Sequence, residues 1–331
     1  MFDQGNDYVR CILIDFSKAL DVVNHEILLK ELRTLGMNSS IFNWIADFLT
    51  GRSQAVKLGD IISAFLMITR SIVQGSGLGP YLFILLARKL KALSLINRLV
   101  KYADDMTLVV PQHTDCLIEE ELKNIVTWAE NNKQNINTNK TKEIIFWKTG
   151  KPSKAINIPL IPQIERVQQV RLLGVLLSSN LSFTPHIEYI LAVSTQRFYL
   201  LNQLKKMSLA LAGLSNVFRA LIVSRILYAL PAFYGFILKS DVDRINAMFR
   251  KAKRWGITTD ELDLDLLSTV ADSGLFNKIK FENHCLHHLL PKVHEVVSYN
   301  LRGRPTRYDL PKVTFTKLLN SFIYRCAKLN Y

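Results

Sequence analysis

The chain's 331 residues, 49% of them hydrophobic, are ample for a packed core and make one large domain or about two. Lys+Arg of 42 against Asp+Glu of 28 leave a formal charge of +14, which favours a polyanionic partner, either nucleic acid or an acidic membrane surface. Four scattered cysteines, Cys11, Cys116, Cys285 and Cys326, form no CxxC pair, which argues against a disulfide framework and fits a reducing compartment.

In chain order, the opening MFDQGNDYVR has no apolar signal core behind a basic start. Asp7 to Asp15, DYVRCILID, is a short apolar run suited to a buried strand that ends on a carboxylate. Asn24 can cap a helix carrying Ile27, Leu28, Leu32 and Leu35, with Gly36 as its stop. A second helix is expected from Ser40 to Thr50 on Ile41, Trp44, Ile45 and Phe48, ending at Gly51. SQAVKLGDIISAF reads as a hairpin about Gly59-Asp60, and QGSGLGP (Gln74 to Pro80) as a glycine-rich loop entering a helix. Leu99 to Val110, LVKYADDMTLVV, has two strand-like flanks, so Asp104 and Asp105 fall where a hairpin would turn. A helix from Thr114 through Ile118, Leu122, Ile125 and Ala129 follows, and KTKEIIFW returns to strand.

Three prolines in KPSKAINIPLIP mark a change of subdomain near residue 150. From Pro185 the pattern is mainly helical and basic, up to the polar tail YNLRGRPTRYDL. The most apolar long stretch, Leu209 to Leu238, is interrupted by Arg219, Arg225 and Pro231 and reads as a buried or groove-lining helical segment, so no membrane partner is expected. Strands and helices mix without βαβ regularity, which predicts an α+β fold with a mostly antiparallel sheet.

Asp is a common turn residue, so ADD alone would be a turn. Asp15, at the end of another strand-like segment, changes that reading. Two strand ends of one sheet, each bearing carboxylates, can converge on a divalent cation, and Mg²⁺ takes such hard oxygen ligands together with substrate phosphates. Two such ions stabilise the entering and leaving oxygens of phosphoryl transfer. Paired acids are then tolerable because cations neutralise them.

Five blocks occur in order over roughly residues 8–190: LIDFSKALDVVNH, VQGSGLGPYLF, KYADDMTLV, NTNKTKEIIF and VRLLGVLLSSNLSFTPHI. This series resembles the reverse transcriptases of non-LTR, LINE-type retrotransposons. The resemblance implies a right-hand polymerase palm over 1–150 with its fingers largely missing. Beyond it come a palm end and primer-grip hairpin over 151–184, a helical thumb-like region over 185–260 and a basic C-terminal region over 261–331. It implies an RNA-directed DNA polymerase that extends a DNA primer on an RNA template from deoxynucleoside triphosphates with two Mg²⁺ ions, which Mn²⁺ can replace. An intracellular setting, nuclear or in a cytoplasmic ribonucleoprotein, goes with it.

By the same resemblance Asp15, Asp104 and Asp105 are the catalytic and metal-binding acids, with Asp104 the firmer ligand of the pair. Lys140 is the candidate proton donor to the leaving pyrophosphate, with Lys142 as its alternative. Phe16, Leu20, Gln74 and Gly75 lie against nucleotide or template. Lys101, Tyr102, Leu173 and Gly174 belong to the primer grip. Against these, Asp21 reads as a structural or capping carboxylate, Lys18 as a solvated or triphosphate-facing charge, and Trp44 and Trp128 as core. The cluster HCLHH (His284 to His288) lacks the four N/S ligands of structural zinc.

The departures have consequences. Leu20 stands where the family usually has an aromatic wall against the ribose 2′-OH, Val73 replaces a proline, and ARKL (Ala87 to Leu90) replaces an Asn-Asp pair. The first block lies almost at the N-terminus, which reads as an N-terminally truncated fragment whose activity is weak without a fingers segment. The alternatives are a decayed nucleic-acid-binding remnant and a metal-dependent nuclease.

Overall fold

Tyr8–Ile14 form β1, buried along nearly its whole length, as a continuous apolar run requires. The computed structural model of the protein describes residues 1–148, 152, 155–293, 308–310, 312–313 and 315–329. These divide into two compact units, Met1–Gln168 and Gln169–Tyr331.

In the first unit Asn24 caps α1 (His25–Arg33), its side chain accepting the Ile27 N–H at 3.0 Å. Asn38 caps α2 (Ser39–Leu49) in the same way through Ser40. A narrow ribbon follows: β2 (Ser53–Gln54), β3 (Lys57–Leu58), β4 (Ile61–Ile62) and β5 (Leu66–Met67). In it β3 turns into β4 at Gly59-Asp60, as expected, and β2 pairs with β5. Then come α3 (Gly79–Leu86), with Pro80 in its first turn, and β6 (Arg98–Tyr102), β7 (Asp105–Pro111) and α4 (Ile118–Asn131). The last two strands are β8 (Lys142–Trp147) and β9 (Glu165–Val167).

The sheet order is β6-β7-β1-β8-β9, antiparallel except for the parallel β8–β9 edge. Mixed α and β structure is therefore observed, with one parallel pair that periodicity did not reveal. Ile12, Leu28, Leu32, Leu49, Phe83, Leu108 and Val110 are all fully buried and form its main core. Trp128 is half-buried, its ring edge-on to Phe16 at 5.9 Å. Trp44 corrects the core expectation, for it is 58% exposed and stacks on Phe48 at the surface. The expected subdomain change near residue 150 precedes the observed break after Gln168, because β9 adds to the sheet beside β8.

Arg10 occupies the middle of β1 at 1% exposure, among apolar neighbours. Its Nε donates to Glu143 at 2.6 Å and its guanidinium to Asp115 at 2.8 Å; Arg166 of β9 donates to the other Glu143 oxygen at 2.6 Å. The Tyr8 hydroxyl donates to Asp115 at 2.7 Å, and burial with that bond pushes its pKa well above the ordinary value. This network joins four segments and is the reason a charged residue sits in a buried strand.

In the second unit β10 (Gln169–Leu172) pairs with β11 (Val175–Ser178) about Leu173-Gly174. Both turn residues have positive φ, 45° and 84°, the mark of a tight primed turn. The Tyr228 ring lies 3.3 Å from where a Gly174 Cβ would stand, so glycine suits this site on both counts. Helices follow: α5 (Thr184–Lys206), α6 (Leu211–Phe218), a π turn Arg219–Val223 and α7 (Ser224–Leu227). After them come α8 (Leu230–Phe233), α9 (Lys239–Arg254), α10 (Leu264–Ile279), α11 (Thr316–Leu319) and α12 (Phe322–Leu329).

By length and composition Leu211–Phe236 is apolar enough to cross a membrane, with mean hydropathy 1.4. Its continuous helix ends at Leu227, however, and Phe218, Ile222, Ile226, Leu230 and Phe233 fill the core of this unit, the buried role read from the sequence. All four cysteines are free. Most of the tail YNLRGRPTRYDL lies outside the described residues; its Tyr308 is buried against Phe276.

His186, 3% exposed on α5, accepts the Leu176 N–H at its Nδ1 and packs edge-on against Phe233. Burial, with Arg171 nearby, lowers its pKa from 6.5 to about 4. The folded state therefore holds this ring neutral where the unfolded state protonates it. Stability should be complete above pH 6.5 and fall as pH drops toward 4, by up to about 1.4 kcal/mol per pH unit. Urea midpoints against pH check this: His186→Gln should flatten that window, and an unchanged slope would refute the assignment.

Candidate active site

The last ladder pair of the β6–β7 hairpin is Tyr102 with Asp105, which leaves Ala103 and Asp104 as a two-residue turn. Ala103 takes the positive φ, 51°, that such turns demand at their first position. Asp104 is thus in the turn, whereas Asp105 opens β7. On the other flank β7 pairs with β1 in the register Ile14 with Met106, so Asp15 lies one residue beyond that pair, at the sheet end where Asp105 begins. The Asp105 carboxyl is pushed above its ordinary pKa, by burial first and then by the negative charges of Asp104 and Asp15. The three acids therefore share one end of the sheet and repel one another there.

Asp15 is held through its backbone. Its carbonyl accepts the Asn137 N–H at 2.8 Å and its N–H donates to Thr141 Oγ1 at 3.3 Å. Asn137 closes a turn onto Thr141, whose N–H donates to the Asn137 carbonyl at 2.8 Å. Lys140 rides on this turn, exposed and with no side-chain partner among the described residues. Lys142 instead pairs with Glu165 at 2.5 Å and donates to the Asn139 carbonyl. The turn places a free ammonium on the segment that grips Asp15. Composition alone missed this clamp, although the run NTNKT, rich in turn-forming Asn and Thr, carries its signal.

Carboxylates are suitable hard ligands, and none of the three has a hydrogen-bond or ion-pair partner among the described residues. No three His, Cys, Asp or Glu side chains among those residues are grouped so that they could hold a metal ion by themselves.

Residues 2–177, more than half of the chain, match the family model described as reverse transcriptase (RNA-dependent DNA polymerase). The chain belongs to the reverse transcriptase family. It is 24% identical over 285 residues to the RNA-directed DNA polymerase from mobile element jockey of Drosophila funebris, a match covering 80% of this chain and 30% of that one. A transposon X-element protein of Drosophila melanogaster matches at 24% identity over 92% of this chain and 34% of its own length. The Pol polyprotein from type-1 retrotransposable element R2 of Popillia japonica matches at 24%, over 49% of this chain and 26% of its own. The chain thus spans about a third of the length of the curated relatives it matches. Among solved structures, telomerase from Candida tropicalis with a fragment of telomeric RNA aligns at 12% identity and a TM-score of 0.43, over 85% of this chain and 48% of that one.

The other residues of the reverse transcriptase blocks are placed as follows. Phe16 is 5% exposed and its ring packs in the core. Strand alternation turns it inward, one residue on from half-exposed Asp15. Leu20 packs partly against the same core, and its carbonyl accepts the Ile72 N–H. Gln74 donates to Asp21 at 2.8 Å and so ties the glycine-rich loop to the first block. Gly75 beside it has a φ of 81° with open space around it.

Lys101 is engaged by backbone carbonyls. Its ammonium donates to the Ala87 and Leu90 carbonyls, each at 2.8 Å, and burial, then Lys91, lowers its pKa. It fastens the end of the helix that follows the loop. Tyr102 is 67% exposed.

In the second unit the Leu173 carbonyl accepts the Tyr228 hydroxyl at 2.8 Å. The expected basic surface there is reduced. Arg197 donates to the Leu221 carbonyl, Lys205 to that of Trp255 and Lys253 to Glu261, while Lys251 sits over the Trp255 ring. Lys206, Arg250 and Arg254 stay exposed. In HCLHH the His284 Nδ1 accepts the Leu286 N–H and the His287 Nδ1 lies 3.0 Å from the Ile279 carbonyl.

Proposed function

We propose that this chain is the polymerase segment of a non-LTR retrotransposon reverse transcriptase, extending a DNA primer on an RNA template by two-metal nucleotidyl transfer. The observation that carries the reading is the gathering of Asp15, Asp104 and Asp105 at one sheet end, where burial and then the charges of Asp104 and Asp15 raise the Asp105 pKa. The first unit is read as a palm and the helices of the second as thumb-like. An intracellular ribonucleoprotein is the setting that goes with this activity.

Asp15 and Asp104 would hold Mg²⁺ ions, which bind through one or two carboxylates plus waters and substrate phosphates and, when bound, supply charge neutralisation to the triphosphate and the attacking oxygen. The Asn137–Thr141 turn fixes the Asp15 backbone, so the carboxylate needs no reorganisation when a nucleotide arrives. Lys140, unpaired, donates the proton that the pyrophosphate leaving group takes up. Gln74 and Gly75 present the loop to template and incoming nucleotide, and the fixed Gln74–Asp21 bond sets that loop's distance from the first block.

The decisive experiment is primer extension on an RNA template. Extension with Mg²⁺ or Mn²⁺ that chelation abolishes is expected; cleavage of the same template without extension would overturn the reading in favour of a nuclease. The two lysines separate cleanly in the same assay. Lys140→Ala should lower kcat by roughly 10²-fold or more, the usual contribution of a positioned acid, whereas Lys142→Ala should leave kcat within a few-fold. Equal losses would remove Lys140 from the chemistry. Template–primer binding should weaken by about 0.7–0.9 decades per phosphate contact for each decade of salt. Lys206, Arg250 and Arg254 are among the exposed cations of the helices, and replacing all three with Ala should reduce that slope; an unchanged slope counts against a thumb-like grip.

A further inference from the structure

A cavity of about 560 Å³ lies within the second unit, lined by the β10–β11 hairpin, α5 and the π turn with α7. Three arginines line it, Arg171, Arg197 and Arg225, and no Asp or Glu does. The ion-paired arginines among the described residues are others: Arg10, Arg88, Arg166, Arg219, Arg244 and Arg325. Three like charges are therefore collected without a counter-charge, an arrangement that repels itself until an anion arrives.

What the guanidiniums touch leaves most of their donors unspent. Arg171 stacks over Tyr189 at 4.3 Å and donates to its hydroxyl at 3.3 Å; Arg225 donates to the same oxygen at 3.4 Å. The Arg225 Nε is buried with no partner. Arg197 donates to the carbonyl of Leu221 in the π turn, a helix irregularity that often marks functional positions.

A second, independent observation comes from His186, also in the lining. It is 3% exposed, and its Nδ1 accepts the Leu176 N–H. The neutral ring must then carry its hydrogen on Nε2, a buried donor with no partner. The lining thus offers guanidinium and imidazole donors and no carboxylate, which is the complement of a tetrahedral oxyanion. Arginine forks suit phosphoryl oxygens in pairs. The volume falls among small-molecule sites, about 300–1,000 Å³, and exceeds what a bare phosphate fills. Tyr228, 56% exposed, adds an aromatic wall.

We propose that this cavity binds a nucleotide phosphate, with Arg171, Arg197 and Arg225 on the phosphoryl oxygens and the Tyr228 ring along the base. The phosphate comes either from a free nucleotide or from a unit of a strand, and the lining lies wholly within the second unit.

The test titrates inorganic phosphate, AMP and a short single-stranded DNA into the full chain, read by calorimetry and by the ¹⁵N signals of His186. Ala220 is exposed in the lining, so Ala220→Glu sets a carboxylate among the arginines without disturbing the core. AMP is expected to bind more tightly than inorganic phosphate and to shift the His186 signals. Affinity for both should fall about tenfold or more in Ala220→Glu and in Arg225→Gln, since charged hydrogen bonds are lost. Displacement of AMP by the DNA identifies the strand as the source, and AMP binding without displacement identifies the free nucleotide. Equal affinities of the parent and Ala220→Glu, with the thermal midpoint unchanged, would overturn the site, as would binding that leaves His186 unmoved.

Discussion

Asp104→Asn is expected to lower primer extension by about three decades or more, since metal-assisted charge stabilisation is worth several kcal/mol and about 1.4 kcal/mol is one decade in rate. The substitution is chosen because it separates charge from structure. Asp104 is half-exposed in a two-residue turn, a position where Asn is as much at home as Asp, so the hairpin should fold unchanged. What is lost is a negative charge that the cations need. The neighbouring acids predict a gradient. Asp15→Asn should match Asp104→Asn, because its backbone is clamped by Asn137 and Thr141 and nothing can shift to replace it. Asp105→Asn should cost less, for burial and its two acidic neighbours raise its carboxyl pKa and so make its charge the costliest of the three to keep. Single-turnover extension, with template–primer affinity measured beside it, checks the order: kcat should collapse while affinity holds. Undiminished extension by Asp104→Asn would sink the assigned chemistry.

That gradient could be anticipated from the sequence only in part. Asp15 and the Asp104-Asp105 pair were legible because each ends or begins a run with clear strand character, and strand ends of one sheet converge. The Asn24 cap and the turn at Gly59-Asp60 were legible for a similar reason: their signals are local. What was not legible depended on distant partners. Lys101 alternates like a surface residue, yet its ammonium reaches carbonyls 11 and 14 residues back. Trp44 sits at helical spacing with apolar neighbours, yet its ring stays 58% exposed on α2. Spacing shows which residues share a face and does not show what covers the face. The Asp15 clamp joins residues more than a hundred positions apart, so no window on the chain could contain it.

Arg10 is the extreme case, a charge inside an apolar strand that only the folded sheet explains, and it yields the largest expected effect on stability. Glu143→Ala should destabilise the first unit by about 3–5 kcal/mol, the usual cost of stranding the partner of a buried ion pair. Glu143 is fully buried and accepts from both Arg10 and Arg166, so its removal leaves Arg10, itself 1% exposed, with Asp115 as its one remaining acid. The adjacent rung of the same strand pair supplies the control. There Lys142 faces Glu165, which is two-thirds exposed, and a solvent-screened pair of that kind contributes only about 0–1 kcal/mol. Glu165→Ala should therefore barely move the unfolding midpoint, although the two pairs are consecutive in the register. Glu143→Gln, which keeps the shape and one acceptor, should fall between them. Denaturant unfolding of the three variants at constant ionic strength, followed at Trp147 on β8, measures the series. If Glu143→Ala and Glu165→Ala lose equal stability, burial is not what sets the strength of these contacts, and the network is decoration on the sheet instead of its fastening.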